Sequence, residues 1–168
     1  MLYRLNNLLG RMTEAMQDTS WLVFRILVAS MYATHGYEKL LGENPQQFMG
    51  SGMTTLRIGE WLAYPVPGDI NLLFIAGVLE LAGGVLLVFG LWTHLVAFFS
   101  LLNMSFAYLI AHLAWFPTLN NGELAALYWC AFLALFTFGG GQQSLDAWLT
   151  ERRMEKRRKK MDAQSAKE

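Results

Sequence analysis

The stretch that decides the fold is residues 70–91, which read INLLFIAGVLELAGGVLLVFGL. Its 22 residues contain a single charged side chain, that of Glu80. A helix needs about 20 mostly apolar residues to cross the roughly 30 Å hydrocarbon core of a bilayer. We therefore predict a transmembrane helix here, with its one carboxylate near the middle of the membrane.

Three more apolar stretches lie on either side of this segment. Residues 95–115 contain no Asp, Glu, Lys or Arg, and residues 122–140 form a shorter stretch bounded by glycines. Residues 21–41 carry three charges, but these lie toward the two ends. We predict four transmembrane helices at about residues 21–41, 70–91, 95–115 and 122–140. The first is interpreted as a retained anchor rather than a cleaved signal peptide, because a charge interrupts its apolar run.

The composition favours the same class of protein. Hydrophobic residues make up 54% of the 168 residues and charged residues 15%, against roughly 45–50% and about 25% in soluble domains. This balance excludes an intrinsically disordered chain, and the single cysteine excludes a disulfide-linked secreted domain. The expected fold class is all-α, an integral membrane four-helix transmembrane bundle.

Two segments outside the predicted spans have helical signals of their own. Residues 1–19 repeat apolar side chains at spacings of three and four, which predicts an amphipathic helix in the membrane interface or, alternatively, one packed on the bundle. The apolar positions are Leu2, Leu5, Leu9, Met12 and Met16. Between the first two spans, Asn44 and Pro45 resemble a helix start. We therefore expect a short extracytoplasmic lid helix in residues 42–69.

Charge sets the predicted orientation and the division of the chain. Seven of the ten residues in 151–160 are Lys or Arg, which places this end in the cytoplasm by the positive-inside rule. Four spans then return the N-terminus to the same side of the membrane. The predicted parts are an interfacial segment (1–19), a bundle (20–148) and a basic cytoplasmic tail (149–168). The tail is expected to contact anionic lipid rather than nucleic acid.

Ionisable side chains gather toward the predicted extracytoplasmic half of the bundle. Such groups are costly inside a bilayer, so each needs a partner or a function. The candidate polar pocket comprises His35, Glu38, Lys39, Glu80, His112 and Glu123, and its candidate lining residues are Tyr32, Tyr37 and Tyr108. The same groups could instead form structural pairs, such as His35 with Glu80 or Glu123.

Two other groupings follow from the predicted depths. Arg25 and Asp146 lie near the cytoplasmic ends of the first and fourth spans, so we predict an ion pair between them. A metal site built from His35, His112 and a carboxylate is an alternative use of the polar pocket. Two histidines on separate helices support it only weakly, so we assign no metal ligands. Nucleophilic catalysis is not expected, because no histidine lies at the depth of Cys130.

Four short motifs, in order along the chain, resemble those of the DoxX family of small four-span bacterial membrane proteins. They are His35-Gly36-Tyr37-Glu38-Lys39-Leu40, Glu80-Leu81-Ala82-Gly83-Gly84 with Gly90-Leu91-Trp92-Thr93, Asn121-Gly122-Glu123-Leu124-Ala125, and residues 139–146. The match covers roughly residues 21–148, and the resemblance implies a multi-pass protein of a bacterial inner membrane. The chain departs from it at Gly140, where many relatives carry proline, and either residue can end a helix.

The resemblance implies a link to membrane redox pathways, because relatives have been associated with quinol oxidases, thiosulfate:quinone oxidoreductases and thiol redox assemblies. The chain shows no CxxC, haem-attachment or phosphate-binding glycine motif, so it would need a bound cofactor, with quinone as the candidate, or a redox partner protein. Whether the chain is itself an enzyme stays open. The alternative is a non-catalytic membrane scaffold or small-solute transport component that holds partner proteins or forms a homo-oligomer.

Overall fold

The computed structural model describes residues 2–14, 16–59 and 61–165. In this part of the chain, six α-helices and one β-hairpin follow in order. They are α1 (Leu2–Glu14), α2 (Gln17–Leu41), β1 (Thr55–Ile58), β2 (Leu62–Pro65), α3 (Leu72–Phe89), α4 (Thr93–Ala111), α5 (Glu123–Phe138) and α6 (Leu145–Ser165). The expected all-α class is thus confirmed for the body of the protein, with the hairpin as an addition.

Helices α2 to α5 form the bundle and correspond to the four predicted apolar segments. Helix α2 packs chiefly on α3, α4 packs on α5, and α3 joins the two pairs. Their shared core consists of Val28, Ala29, Tyr32, Leu87, Val96, Ala97, Leu101, Met104, Tyr128, Phe132 and Leu135. Within the described chain, α3 and α4 are long and apolar enough to cross a membrane, and α5 is a shorter apolar helix.

Glycines bring α2 and α3 into close contact. A Cβ atom on Gly36 would overlap the backbone nitrogen of Leu81, and one on Gly84 would lie 2.7 Å from the carbonyl oxygen of Ala29. Small residues allow helix backbones to approach in this way. The face of α3 that carries Gly77 and Gly84 is therefore the face that packs on α2.

The prediction of a lid helix in residues 42–69 is wrong, because the segment forms an antiparallel hairpin. Thr55 pairs with Pro65 and Ile58 with Leu62. The segment is held by Asn71, which is fully buried. Its amide donates to the side-chain oxygen of Gln46 and to the carbonyl of Gln47, both at 3.0 Å, while its oxygen accepts from the backbone of Met53 and Leu73. Asn71 thereby caps α3 and fixes the preceding segment as an extended loop. If that segment were helical, the backbone groups of Gln47 and Met53 would not reach the Asn71 side chain.

The two ends of the bundle are distinguished by what covers them. The hairpin end carries β1 and β2, and β1 contacts α4. The α6 end carries the basic tail, which continues as one helix from Leu145 to Ser165. At the N-terminus, the predicted helix forms as α1, which ends at Glu14 and has exposed side chains at Leu2, Leu5 and Leu9. Met16 is also exposed but directly precedes α2. The side chain of Met12 lies outside the described ones, and the interfacial position of α1 stays a prediction.

Candidate functional site

Glu80 lies in the interior of α3, and its partner is Lys39 in the last turn of α2. The ammonium of Lys39 donates to both carboxylate oxygens of Glu80. This is the one salt bridge among the described residues. The Glu80 side chain is 4% exposed and the Lys39 side chain 31%. A buried carboxylate is thus neutralised by a cation that still reaches the surface of the bundle.

A third helix completes this buried cluster through an amide. Asn103 of α4 donates to Oε1 of Glu80 at 3.3 Å and to the hydroxyl oxygen of Tyr32 at 3.0 Å. Tyr32 is 1% exposed and stacks edge-on against Phe132 of α5 at 4.6 Å. We call Tyr32, Lys39, Glu80 and Asn103 the Glu80 cluster. It combines a carboxylate, an ammonium, an amide and a phenol, so its members can hold, orient and exchange a proton.

The sequence prediction of this cluster was incomplete. It included Glu80, Lys39 and Tyr32 but omitted Asn103, which lies on the face of α4 opposite His112. The available signal was an amide inside an apolar helix at the depth of Glu80, since an amide in apolar surroundings needs a hydrogen-bond partner.

Three predicted residues of α2 do not join the Glu80 cluster. The ring of His35 is half-buried and lies edge-on to that of Tyr128, with centroids 5.9 Å apart. Tyr37 and Glu38 are exposed. The alternative pairing of His35 with Glu80 is therefore wrong, because Lys39 and Asn103 bind that carboxylate instead.

The remaining predicted residues lie together at the junction of α4 and α5. The Nδ1 atom of His112 lies 3.0 Å from the carbonyl oxygen of Asn120, and the hydroxyl of Tyr108 donates to the carbonyl of Ala114 at 2.9 Å. Glu123 is the exposed first residue of α5. Because α4 ends at Ala111, His112 belongs to a connection nine residues beyond Asn103, a rise of about 13 Å. The single predicted pocket is therefore two separate groups.

The ion pair expected between Arg25 and Asp146 is not formed, because both side chains bind backbone groups at the α6 end. The guanidinium of Arg25, which is 2% exposed, donates to the carbonyls of Gly140 and Gln143. The carboxylate of Asp146 accepts from the backbone nitrogens of Trp92 and Thr93, both at 2.8 Å, and so caps α4. Both side chains lie at one end of the bundle, but the predicted pairing between them is wrong.

A metal site from the two histidines is also not assembled, because His35 and His112 have the different neighbours just described. In residues 2–14, 16–59 and 61–165, no group of three or more His, Cys, Asp or Glu side chains lies close enough to hold a metal ion.

Comparison with known proteins identifies the family. The family model described as DoxX matches residues 20–113, which include all four members of the Glu80 cluster. An uncharacterized protein of Haemophilus influenzae is 37% identical over 127 residues, which cover 73% of this chain and 84% of the relative. No solved structure matches the chain. With more than half of its length matched by the family model, this chain belongs to the DoxX family of membrane proteins.

Proposed function

We propose that this protein is a four-span inner-membrane subunit of a redox pathway that works with quinone or quinol, and that the Glu80 cluster handles the protons. The observation that carries the proposal is the burial of the Glu80 carboxylate beside Lys39 and Asn103, inside an otherwise apolar helix. Ionisable groups at such positions in membrane proteins are typical of proton relays and ligand sites.

The membrane placement rests on the surfaces of the helices. In α3 and α4, fewer than a third of the residues in the apolar window are buried, whereas a core helix of a soluble protein would be mostly buried. Large apolar side chains also face outward from α2 and α5, among them Leu27 and Leu127. Helix α2 has 25 residues, a rise of about 37 Å, which suffices for a span.

The orientation rests on α6. Its excess of Lys and Arg favours the cytoplasm, and an even number of spans then brings α1 to the same side. The hairpin end would face away from the cytoplasm. Lys39, in the last turn of α2, would then connect Glu80 to the extracytoplasmic surface.

The chemistry requires two protons and two electrons for each quinone reduced to quinol. The Glu80 cluster can supply the protons, because Lys39 and Glu80 can exchange a proton along their hydrogen bonds. Asn103, which also donates to Tyr32, orients the carboxylate. The electrons would come from a partner protein or a bound cofactor, since the chain has no redox motif of its own. The protein would thus act as one subunit of an assembly.

A scaffold role is the second candidate, and one observation favours it. Lys39 and Glu80 bridge α2 and α3 where Gly36 meets the backbone of Leu81. A buried ion pair at a helix crossing can have a purely structural role, which is to fix the packing of the two helices. In that case the bundle would hold partner proteins or pass a small solute, without proton exchange at Glu80.

The deciding experiment uses the full chain purified in mild detergent. Bound quinone is extracted and identified by mass spectrometry, and its electrochemical reduction is followed by infrared difference spectroscopy. We expect bound quinone and a carboxyl protonation signal that Glu80→Gln removes. Glu38→Gln is the matched control, because that carboxylate is exposed on the neighbouring helix, and it should keep the signal. Absence of quinone, with a stoichiometric protein partner copurifying instead, would overturn the redox proposal in favour of the scaffold.

A further inference from the structure

A wide groove runs between α6 and the adjoining end of the bundle. One wall is α6, and the other consists of the start of α4, the end of α5 and the loop at residues 139–141. Its volume of about 1580 Å³ exceeds the roughly 300–1,000 Å³ of sites for drug-sized molecules. The groove therefore has room for a larger ligand.

The bundle wall of this groove is apolar. Trp92, Leu95 and Phe138 line it and are 62%, 56% and 73% exposed. These residues stand at the ends of α4 and α5, where aromatic side chains of membrane proteins meet the lipid headgroups. An apolar wall at this level suits hydrocarbon rather than water.

The face of α6 that carries Asp146 also carries two cations of the groove lining. At 100° per residue, Arg153 and Arg157 lie on the same face of α6 as Asp146. Asp146 is occupied by two backbone N–H groups, and neither arginine forms a salt bridge within the described chain. Of the other charged lining residues, Glu151 and Arg158 lie about 140° and about 120° around α6 from Asp146, and Glu155 lies on the opposite side of the helix. The free charge on the face shared with Asp146 is therefore positive.

We propose that this groove binds an anionic phospholipid of the cytoplasmic leaflet. The phosphate would bind between Arg153 and Arg157, since guanidinium groups match phosphate oxygens in geometry and charge. The acyl chains would cover the apolar side chains of Leu95 and Phe138. A soluble phosphate compound would satisfy the arginines but leave this wall uncovered. The assignment rests on the membrane placement proposed above and does not depend on redox activity.

The test is native mass spectrometry of the delipidated full chain, titrated with phosphatidylglycerol or phosphatidylcholine. Because each guanidinium would lose its hydrogen bonds to the phosphate, Arg153→Gln with Arg157→Gln should weaken phosphatidylglycerol binding about thirtyfold, which corresponds to about 2 kcal/mol. The matched control is Lys156→Gln with Lys159→Gln, which removes the same charge from residues that do not line the groove. It should weaken binding less than threefold.

Several results would overturn the proposal. Equal losses in the two double variants would indicate general attraction to the basic helix, and equal binding of the two lipids would exclude recognition of the anionic headgroup. Competition by inorganic phosphate at equal concentration would assign the site to a soluble anion, and capture of an acidic protein or RNA in place of lipid would identify a different ligand class. Quinone retention should be unchanged in both double variants, so failure here and failure of the redox proposal are distinguishable.

Discussion

The backbone of Gly36 in α2 lies against the backbone of Leu81 in α3, with no space for a side chain between them. On α2, Gly36 lies about one turn before Lys39, and on α3, Leu81 directly follows Glu80. It therefore sets the distance across which the buried salt bridge forms. The packing of two helices and the geometry of the Glu80 cluster depend on the same glycine.

We expect Gly36→Ala to destabilise the protein by about 3 kcal/mol, because the new methyl group meets backbone atoms that cannot rotate away. Gly10→Ala is the control, since a Cβ atom there meets nothing within 4 Å. It should be neutral or stabilise α1 by about 0.5–1 kcal/mol. The measurement is the free energy of unfolding in mixed micelles. Equal stability of wild type and Gly36→Ala would contradict the close helix contact.

The Lys39–Glu80 pair should show strong coupling in a double-mutant cycle. Lys39→Met leaves a buried carboxylate without its cation, and Glu80→Leu leaves the cation without its carboxylate. We expect each single change to cost about 2–4 kcal/mol, while the double variant recovers much of this loss because no unpaired charge remains. The cycle is measured by unfolding in mixed micelles, and additive single effects would show that the pair does not form.

Arg25→Lys should be strongly destabilising although it keeps the positive charge. The guanidinium donates to two carbonyls on the loop after α5, and a single ammonium cannot reproduce this forked geometry. We expect a loss of about 2–3 kcal/mol, in the range of a hydrogen bond to a charged group. Arg57→Lys, on the exposed face of β1, should change the unfolding free energy by less than about 0.5 kcal/mol. A loss of similar size in both variants would contradict a specific role for Arg25.

Asp146→Asn tests the cap of α4. Both carboxylate oxygens accept from backbone nitrogens, and an amide would turn one of these oxygens into a donor that faces another donor. The expected cost is about 1–2 kcal/mol. Asp162→Asn removes the same charge from an exposed position of α6, so its thermal unfolding should match wild type. An unchanged melting temperature in Asp146→Asn would show that the cap contributes nothing.

The proposed orientation can be tested by labelling in a Cys130→Ser background. Ser51→Cys reports on the hairpin segment and Ser165→Cys on the end of α6, and both positions are exposed. With a membrane-impermeant maleimide on intact cells, we expect labelling at position 51 and none at 165 until the cells are lysed. Labelling of both before lysis would contradict an even number of spans with a cytoplasmic α6.

The long apolar runs predicted the bundle helices because burial in lipid or protein leaves a backbone no alternative to internal hydrogen bonds. The hairpin was missed because Asn44 and Pro45 are local signals, whereas the segment is held by Asn71, 27 residues further on. The glycines at positions 50 and 52 and the neighbouring threonines were the competing signal for an extended loop.

The site residues show a similar division. Spacing along a helix fixes the depth of a side chain, so Glu80, Lys39 and Tyr32 were grouped correctly. It does not fix how each helix is rotated against its neighbours, and so His35 was assigned to the cluster while Asn103 was not. The opposite charges of Arg25 and Asp146 were predicted to pair because they lie at the same end of the bundle. Their actual partners are backbone carbonyl and N–H groups of the turns at that end, whose positions cannot be derived from the sequence.

The hydrogen bonds of the Arg25 guanidinium also have a consequence for the order in which the protein can fold during translation. The carbonyls that receive this guanidinium come 115 and 118 residues later in the chain. Until residues 140–143 have been synthesised, the Arg25 guanidinium lacks the carbonyls that bind it in the folded protein. A chain that ends before Gly140 would therefore leave this buried cation without its acceptors, and we expect its bundle to be less stable than that of the full chain.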